Sequence, residues 1–236
     1  MIRAVAVVVP ARDEERLIAA CLDAVARAAA HPGVHGLPVT VLVVADSCTD
    51  RTGPRARAHG ARTLAVSTAN VGAARALGTA HVLELLGVDG GPVPAEQVWL
   101  AHTDADSVVP PCWLAHQLQH AADGFDAVLG TVRVADWSAH TPQTRDRYLR
   151  QYHRHVRTFD HPHIHGAHLG VRTDAYLAAR GFPALAVGED RALARALGAQ
   201  GSRIMRRGSC PVLTSARRQA RARGGFGDLL LALEAG

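Results

Sequence analysis

The first half of the chain alternates short apolar segments with segments of helical periodicity. Four mainly apolar runs predict buried strands, at 4–9, 39–45, 61–66 and 98–101. Apolar residues spaced three or four apart predict helices between them, near 17–25, 54–59 and 70–86. Strands that alternate with helices imply right-handed βαβ units, so we expect an α/β fold with a mostly parallel central sheet flanked by helices.

The second half of the chain is less regular. It predicts helices beginning at 111 and 188, further helices at 145–159, 174–179 and 226–233, and strands at 127–134, 203–206 and 211–213. No internal repeat or low-complexity linker interrupts the pattern. We therefore expect residues 1–236 to form a single domain.

Polar residues follow the predicted strands where each strand ends. Arg12, Asp46 and Asp104 each come after a strand, and the polar segment 70–75 follows the third. Because the carboxyl ends of parallel strands meet at one edge of the sheet, these residues predict a nucleotide crevice, although no Gly-x-Gly-x-x-Gly fingerprint is present. Asp104 and Asp106 are two residues apart, a spacing that lets both carboxylates reach one hard cation such as Mg²⁺ or Mn²⁺.

Composition removes several classes of function. All 26 basic residues are arginine and there is no lysine, which excludes a P-loop and Schiff-base chemistry and argues against a protein kinase. The formal charge of +5 follows from this arginine bias, so we expect no nucleic-acid partner. The four cysteines are scattered and no apolar run is long enough to cross a bilayer, so we expect a cytoplasmic protein without a transmembrane segment, with peripheral contact at the inner membrane face kept open.

Seven segments, in order, resemble the motifs of family 2 glycosyltransferases. The segment 10–15 is similar to the opening Pro-Ala-x-Asn-Glu-Glu, 46–50 to Asp-Gly-Ser-Thr-Asp, 70–75 to Asn-x-Gly-x-Ala-Arg, and 104–106 to Asp-x-Asp. Farther along, 166–172 resembles Gly-Ala-Asn-x-x-x-Arg, 181–190 contains counterparts of Gly-Gly-Phe and Glu-Asp, and 214–218 resembles Thr-Ser-x-Arg-Arg of some bacterial members. The chain departs from these motifs at four positions, Asp13, Ala45, His168 and Arg180.

This resemblance implies a GT-A fold with a Rossmann-like nucleotide-binding half, about 1–107, and an acceptor-binding and catalytic half, about 108–236. It implies transfer from a nucleoside-diphosphate sugar to an acceptor hydroxyl, with inversion and with Mn²⁺ or Mg²⁺; UDP is favoured over GDP. The implied donor site contains Pro10, Ala11, Arg12, Glu14, Asp46, Asn70, Arg75, Asp104, Ala105 and Asp106. Asp106 is the favoured direct metal ligand, and Asp104 binds the metal with it or contacts ribose or the donor sugar.

The resemblance also assigns catalytic and acceptor roles. Asp190 is the implied base and Glu189 positions acceptor hydroxyls, although both also suit a helix start as plain acids. Residues 161–172 are expected to line the acceptor cleft, with His165, His168 and Arg172 as contacts. For Arg217 and Arg218 three roles stay open: diphosphate binding, contact with anionic lipid, or an ordinary charged surface.

Several alternatives stand beside this interpretation. Asp46 suits a nucleotide contact or a helix cap, and we favour Asp50 for the cap. Arg75 suits diphosphate, an acid of the site, or the surface. The histidines at 153, 155, 161, 163, 165 and 168 match no known zinc spacing. The alternative functions are a sugar nucleotidyltransferase and a non-catalytic metal- or lipid-binding protein on the same scaffold.

Overall fold

The strands and helices of the first half follow the predicted alternation. A computed structural model describes residues 1–88, 90–134, 136–154, 161–218 and 225–235. Within these ranges the strands are Ala4–Ala11 (β1), Val39–Asp46 (β2), Arg62–Val66 (β3), Val98–His102 (β4), Ser107–Val108 (β5), Ala127–Val134 (β6), Leu169–Arg172 (β7) and Ile204–Thr214 (β8). The helices are Ile18–Ala29 (α1), Thr52–Ala58 (α2), Val71–Leu85 (α3), Trp113–Ala122 (α4), Pro142–His153 (α5), Thr173–Ala178 (α6), Glu189–Ala199 (α7) and Phe226–Ala235 (α8).

One sheet runs through both halves of the chain, in the order β3-β2-β1-β4-β7-β6-β8-β5. The first four strands of this order are parallel to one another. Strand β7 is antiparallel to β4 and β6, whereas β8 is parallel to β6 and antiparallel to β5. The predicted α/β fold with a mostly parallel central sheet is therefore confirmed, and every antiparallel pair includes a strand of the second half.

The central strands are buried on both faces, as their unbroken apolar sequence predicts. Val5, Val7 and Val9 of β1 belong to the apolar cluster that includes α1 and α4, whereas Ala6 and Val8 belong to the cluster that includes α3 and α7. Helices cover both faces because a parallel sheet has no solvated side.

The sequence missed two strands and divided a third. The strand β7 has four residues including a glycine, and β5 has two, so neither gives a periodic signal. The segments 203–206 and 211–213 belong to one strand, β8, whose polar middle hid its continuity and whose register with β6 shifts between Gly130 and Val132. Helix α5 begins at Pro142 because the Thr141 hydroxyl caps it, accepting the Thr144 N–H at 3.2 Å; residues 155–159 of the predicted helix lie outside the described residues.

No helix in the described ranges combines the length and apolar character that a bilayer span requires.

Helix α3 lies unusually close to the sheet, and this closeness brings the residues at its N-terminus to the strand ends. A Cβ placed on Gly78 would lie 2.3 Å from Val44 Cγ2 and 3.0 Å from Val8 Cγ1. Only a residue without a side chain lets the helix backbone approach these two strands so closely.

We therefore expect Gly78→Ala to destabilise the protein by about 1–3 kcal/mol, the usual cost of overpacking a core. The matched control is Gly198→Ala in α7, where an added Cβ meets nothing within 4 Å. Because alanine favours a helix over glycine, this control should be neutral or stabilising by up to about 1 kcal/mol. Urea unfolding of both variants checks the pair, and equal effects would show that α3 can move away from the sheet at little cost.

Candidate active site

A cleft of about 1570 Å³ opens at the carboxyl ends of β1, β2 and β4. It is lined by all ten residues assigned to the donor site, namely Pro10, Ala11, Arg12, Glu14, Asp46, Asn70, Arg75, Asp104, Ala105 and Asp106. The second half of the chain adds His165, Glu189, Asp190 and Arg217 to the lining. The prediction that the polar strand ends collect at one edge of the sheet is confirmed.

The turns after β1 and β2 are joined by reciprocal hydrogen bonds. Asp13 Oδ1 accepts the Thr49 N–H at 2.7 Å, and the Thr52 hydroxyl accepts the Glu14 N–H at 2.8 Å. Asp50 Oδ1 accepts the N–H of Thr52, the first residue of α2, at 2.9 Å, so it satisfies this helix end from the residue before the N-cap, which is Arg51. Asp13 has φ +51°, in the left-handed region that Asp and Asn tolerate. Its Oδ1 has a counterpart in the side-chain oxygen of the Asn at this position of the motif that segment 10–15 resembles.

Asp46 is engaged with the loop that follows β3. Its two oxygens accept N–H groups from Thr68, Ala69 and Asn70 at 2.8–3.0 Å and the Thr68 hydroxyl at 2.8 Å. Burial alone would raise the pKa of Asp46, but these hydrogen bonds outweigh burial and lower it. Asp46 therefore holds the 67–70 loop at the cleft wall, and its contact with a nucleotide stays a prediction.

Asn70 begins helix α3 and fixes where the helix points. Its Oδ1 accepts the Ala73 N–H at 3.0 Å, and its Nδ2 donates to the Ala184 carbonyl oxygen at 3.2 Å. This is an N-cap with a second contact to the loop before α7. The cap sets the position of Arg75, one turn into the helix.

Arg75 lies buried at the centre of the site, with 1% of its side chain exposed, so the surface alternative is excluded. Its Nη2 donates to Asp104 Oδ1, and its Nε donates to Glu189 Oε1 at 3.2 Å. The Phe182 ring lies 5.7 Å from the guanidinium carbon. A Cβ on Gly166 would lie 2.5 Å from Nη2, so glycine is needed there.

Asp106 is paired with Arg217 rather than with Arg75. Arg217 Nη2 lies 2.9 Å from Asp106 Oδ2, and Nη1 lies 2.6 Å from Glu14 Oε1. Burial raises the pKa of Asp106 to about 7; the Arg217 charge opposes the rise, and Asp104 and Glu14 add to it.

The carboxylates at this end of the cleft fit a divalent cation. Mg²⁺ and similar hard ions are commonly held by one or two carboxylates, with phosphate oxygens and water completing the shell. Asp106 and Asp104 supply the carboxylates, and both line the cleft together with Glu14. A second group, Asp13, Cys48 and Asp50, has three ligand-type atoms within 4.8 Å, but Asp13 Oδ1 and Asp50 Oδ1 already accept backbone N–H groups.

The two acids at the start of α7 point to different partners. Glu189 is buried against Arg75; burial raises its pKa, Arg75 opposes the rise, and Asp190 adds to it. Asp190 Oδ2 accepts the Gly166 N–H at 2.9 Å and faces the cleft. Gly188, with φ +81°, turns the chain into the helix just before them. The structure thus separates a paired acid from an acid on the cleft wall.

A group of stacked rings forms part of the cleft wall; the sequence interpretation included its histidines, within 161–172, and missed its tyrosines. The His163 ring stacks on Tyr152 with centroids 3.9 Å apart, and Tyr148 stacks on Tyr152 at 5.2 Å. His165 Nε2 lies 3.1 Å from the Tyr152 hydroxyl. Burial, followed by the neighbouring histidines, lowers the pKa of His165 to about 3. The signal that could have revealed this wall is the helical spacing of the two tyrosines.

Three of the predicted site residues lie away from the cleft. His168 is fully buried, with Nδ1 donating to the Thr131 carbonyl oxygen at 3.2 Å. Arg172 pairs with Asp126 and Asp174, and Arg218 pairs with Glu234. We therefore retain only His165 on the acceptor side and only Arg217 near the diphosphate. Two further arginines that follow Arg218 in the sequence, Arg221 and Arg223, and His155 lie outside the described ranges.

The burial of His168 predicts a pH dependence of stability. Burial lowers its pKa to about 4, whereas an unfolded chain titrates near ~6.5. The unfolded state therefore binds more protons between these values, so His168 favours the folded state above about pH 6.5 and this contribution is lost as the pH falls. The free energy of unfolding should fall by about 1.4 kcal/mol per pH unit from this residue.

Urea unfolding of His168→Gln at pH 7.5 and 5.5 should show a smaller pH dependence than the wild-type protein. The exposed His153 provides the matched control, since His153→Gln should keep the wild-type dependence. An unchanged dependence in His168→Gln would mean that the buried imidazole does not set the acid sensitivity.

Comparison with known proteins agrees with this geometry. The family model described as Glycosyl transferase family 2 matches residues 6–178, most of the chain. A comparison with curated proteins finds no match.

Solved structures share the fold. The mannosyltransferase PcManGT from Pyrobaculum calidifontis, in complex with GDP-Man and Mn²⁺, aligns with a TM-score of 0.62 at 21% identity over 94% of this chain and 59% of that one. S. aureus TarS 1-349 in complex with UDP-GlcNAc aligns with 0.61 at 16% identity over 98% of this chain and 65% of that one. Glucosyl-3-phosphoglycerate synthase from Mycobacterium tuberculosis, with Mn²⁺ and UDP-Glc, aligns with 0.55 at 19% identity over 99% and 76%. This chain thus spans about three fifths of PcManGT, and the likeness at these identities concerns the fold.

Proposed function

Since the chain belongs to glycosyl transferase family 2, we propose that it transfers a sugar from a nucleoside-diphosphate sugar to an acceptor hydroxyl, with inversion at the anomeric carbon. One observation carries the proposal: Asp104 and Asp106 at the end of the parallel strands share a cleft with Asp190 at the start of α7. Carboxylates for a metal-bound donor and a carboxylate for a base are thereby brought to one space.

The donor occupies the half of the cleft formed by the strand ends. We place the nucleotide along the segments 10–14, 46 and 70, in the crevice where open α/β sheets bind ligands. UDP is our first choice and GDP our second; the similar structures carry one or the other. In a sheet of this kind the diphosphate lies nearest the acids that follow β4.

A divalent cation, Mn²⁺ or Mg²⁺, would be held by Asp106, with Asp104 beside it. When bound, it stabilises the negative charge of the departing nucleoside diphosphate. The contribution of the chain is to hold the two carboxylates in place: Arg75 fixes Asp104, and the strand pairing of Ser107 with Thr214 fixes the residue after Asp106.

Asp190 acts as the base. It accepts the acceptor hydroxyl proton while that oxygen bonds to the anomeric carbon, and the bond to the diphosphate oxygen breaks with its electron pair on the diphosphate. The Gly166 N–H orients the Asp190 carboxylate from one oxygen. Glu189 is committed to Arg75, so it supports the site rather than receiving the proton.

The first test concerns the donor. In a thermal-shift and calorimetric screen, UDP or GDP should stabilise the wild-type protein in the presence of Mn²⁺ and not in the presence of a chelator. Asp106→Asn should abolish the metal-dependent part while leaving the fold intact. Exposed Asp123 lies at the C-cap of α4, outside the cleft, and Asp123→Asn should behave like the wild-type protein. Nucleotide affinity that depends on Mn²⁺ and survives in Asp106→Asn would exclude this residue as the ligand.

The second test concerns the base. With a donor and acceptor found by release of nucleoside diphosphate, Asp190→Asn should lower turnover by roughly 10²–10⁴-fold, because general-base catalysis contributes about that much. Donor affinity should stay nearly unchanged, since Asp190 lies on the acceptor side. Glu189→Gln should lower stability as well as turnover because it weakens the partner of buried Arg75. If Asp190→Asn keeps normal turnover while Glu189→Gln is inactive but stably folded, Glu189 is the base and Asp190 the supporting acid.

A further inference from the structure

Arg217 is anchored next to the acids that we assign to the metal. Thr214, three residues earlier, pairs with Ser107 across β5 and β8, and their hydroxyl oxygens lie 3.0 Å apart. The buried His140 ring contacts the Ala216 carbonyl oxygen at 2.7 Å. Arg217 therefore extends into the cleft from a fixed backbone that adjoins Asp106.

The guanidinium of Arg217 bridges two buried carboxylates. One nitrogen lies 2.6 Å from Glu14 and the other 2.9 Å from Asp106, while both acids are largely withdrawn from solvent. An arginine fork can contact two oxygens at once, which a lysine ammonium does less well. Arg217 thus supplies positive charge at the acids that a divalent cation would bind.

We propose that Arg217 is a counter-ion that a divalent cation displaces from Asp106, and that the released guanidinium then binds the diphosphate of the donor. This inference rests on the proposed function. In this exchange the metal has two effects. The ion occupies the Asp106 carboxylate, and it makes Arg217 available for the phosphates.

The two arginines of the site differ in their freedom to move. Arg75 is 1% exposed and donates to two acids beneath the cleft, whereas the Arg217 side chain is 28% exposed at its surface. Moving Arg75 would leave a buried charge without compensation, at a large cost. The guanidinium of Arg217 reaches the cleft surface, so it can leave Asp106 and stay solvated or pair with a phosphate, and it is the cation that exchanges.

Charge repulsion favours the exchange. A divalent ion on Asp106 Oδ2 would lie beside the guanidinium nitrogen that contacts the same oxygen, and repulsion between the two cations weakens that ion pair. A guanidinium fork matches phosphate oxygens, and phosphate carries the negative charge that replaces Asp106 as partner. Metal binding therefore removes Asp106 as the partner of Arg217, and donor binding supplies the diphosphate as its new partner.

Arg218 provides a matched control. It is the neighbouring residue, but its Nη1 donates to Glu234 and to the Ala139 carbonyl oxygen, and it does not line the cleft. Arg218→Ala removes the same charge from the same segment without touching Asp106.

The experiment titrates Mn²⁺ into the full chain without nucleotide and follows free Mn²⁺ by electron paramagnetic resonance. Arg217→Ala should bind Mn²⁺ about tenfold more tightly than the wild-type protein, a change of about 1.4 kcal/mol, because the competing cation is gone. Arg218→Ala should match the wild-type protein. Mn²⁺ should also raise the melting temperature of Arg217→Ala more than that of the wild-type protein, since the ion replaces the lost counter-ion.

A second titration adds UDP or GDP to each Mn²⁺-saturated protein. Arg217→Ala should bind the nucleotide about tenfold more weakly than Arg218→Ala and wild type, because the diphosphate loses its arginine. Arg217→Lys keeps one charge without the fork, and should lie between wild type and Arg217→Ala in both titrations; it serves as the test if Arg217→Ala does not fold.

Mn²⁺ affinity in Arg217→Ala or Arg217→Lys that is equal to or weaker than that of wild type would overturn the exchange. Tighter Mn²⁺ binding with unchanged nucleotide affinity would overturn the transfer to diphosphate. If Arg217→Ala binds Mn²⁺ more tightly than the wild-type protein, but the wild-type protein binds no nucleoside diphosphate, the result contradicts the proposed function and supports the exchange of cations.

Discussion

The buried guanidinium of Arg75 is the interaction on which the rest of the cleft depends. Removing such a charge from water is costly unless hydrogen-bonding partners of opposite charge surround it. Asp104 and Glu189 are those partners, and Phe182 packs beside it. Because Arg75 belongs to α3, Asp104 follows β4 and Glu189 begins α7, one side chain holds three elements together. The position of Asp190, next in sequence to Glu189, follows from that arrangement.

The same contact explains how one cleft can hold several acids. Arg75 permanently neutralises the charge of two acids, Asp104 and Glu189, beneath the cleft. The Gly166 backbone passes close enough to cover the Arg75 guanidinium, and its N–H donates to Asp190. Arg217 neutralises the charge of Glu14 and Asp106 at the open side of the cleft, where solvent and substrate can compete for its guanidinium. The donor and acceptor halves are therefore linked through charge compensation as well as through the continuous sheet.

The sequence predicted what depends on local pattern and missed what depends on distant contacts. The runs that form β1, β2 and β4 are mainly apolar, so their burial and the meeting of their polar ends could be foreseen. The engagement of Asp46 by the 67–70 loop could not, because it depends on how that loop turns back. Nor could the burial of His168, which a motif alignment places with the acceptor segment but which the turn before β7 directs into the core. The contact of Arg217 with Glu14 joins opposite ends of the chain, and no periodicity encodes it.

The location of the metal tests the central claim most directly. In crystals of the protein grown with UDP or GDP and Mn²⁺, the anomalous scattering of manganese identifies its ligands independently of activity. The account predicts a peak bonded to the Asp106 carboxylate and to diphosphate oxygens, with the Arg217 guanidinium moved from Asp106 onto the diphosphate. A manganese peak at Asp13, Cys48 and Asp50, with Arg217 still paired to Asp106, would contradict it.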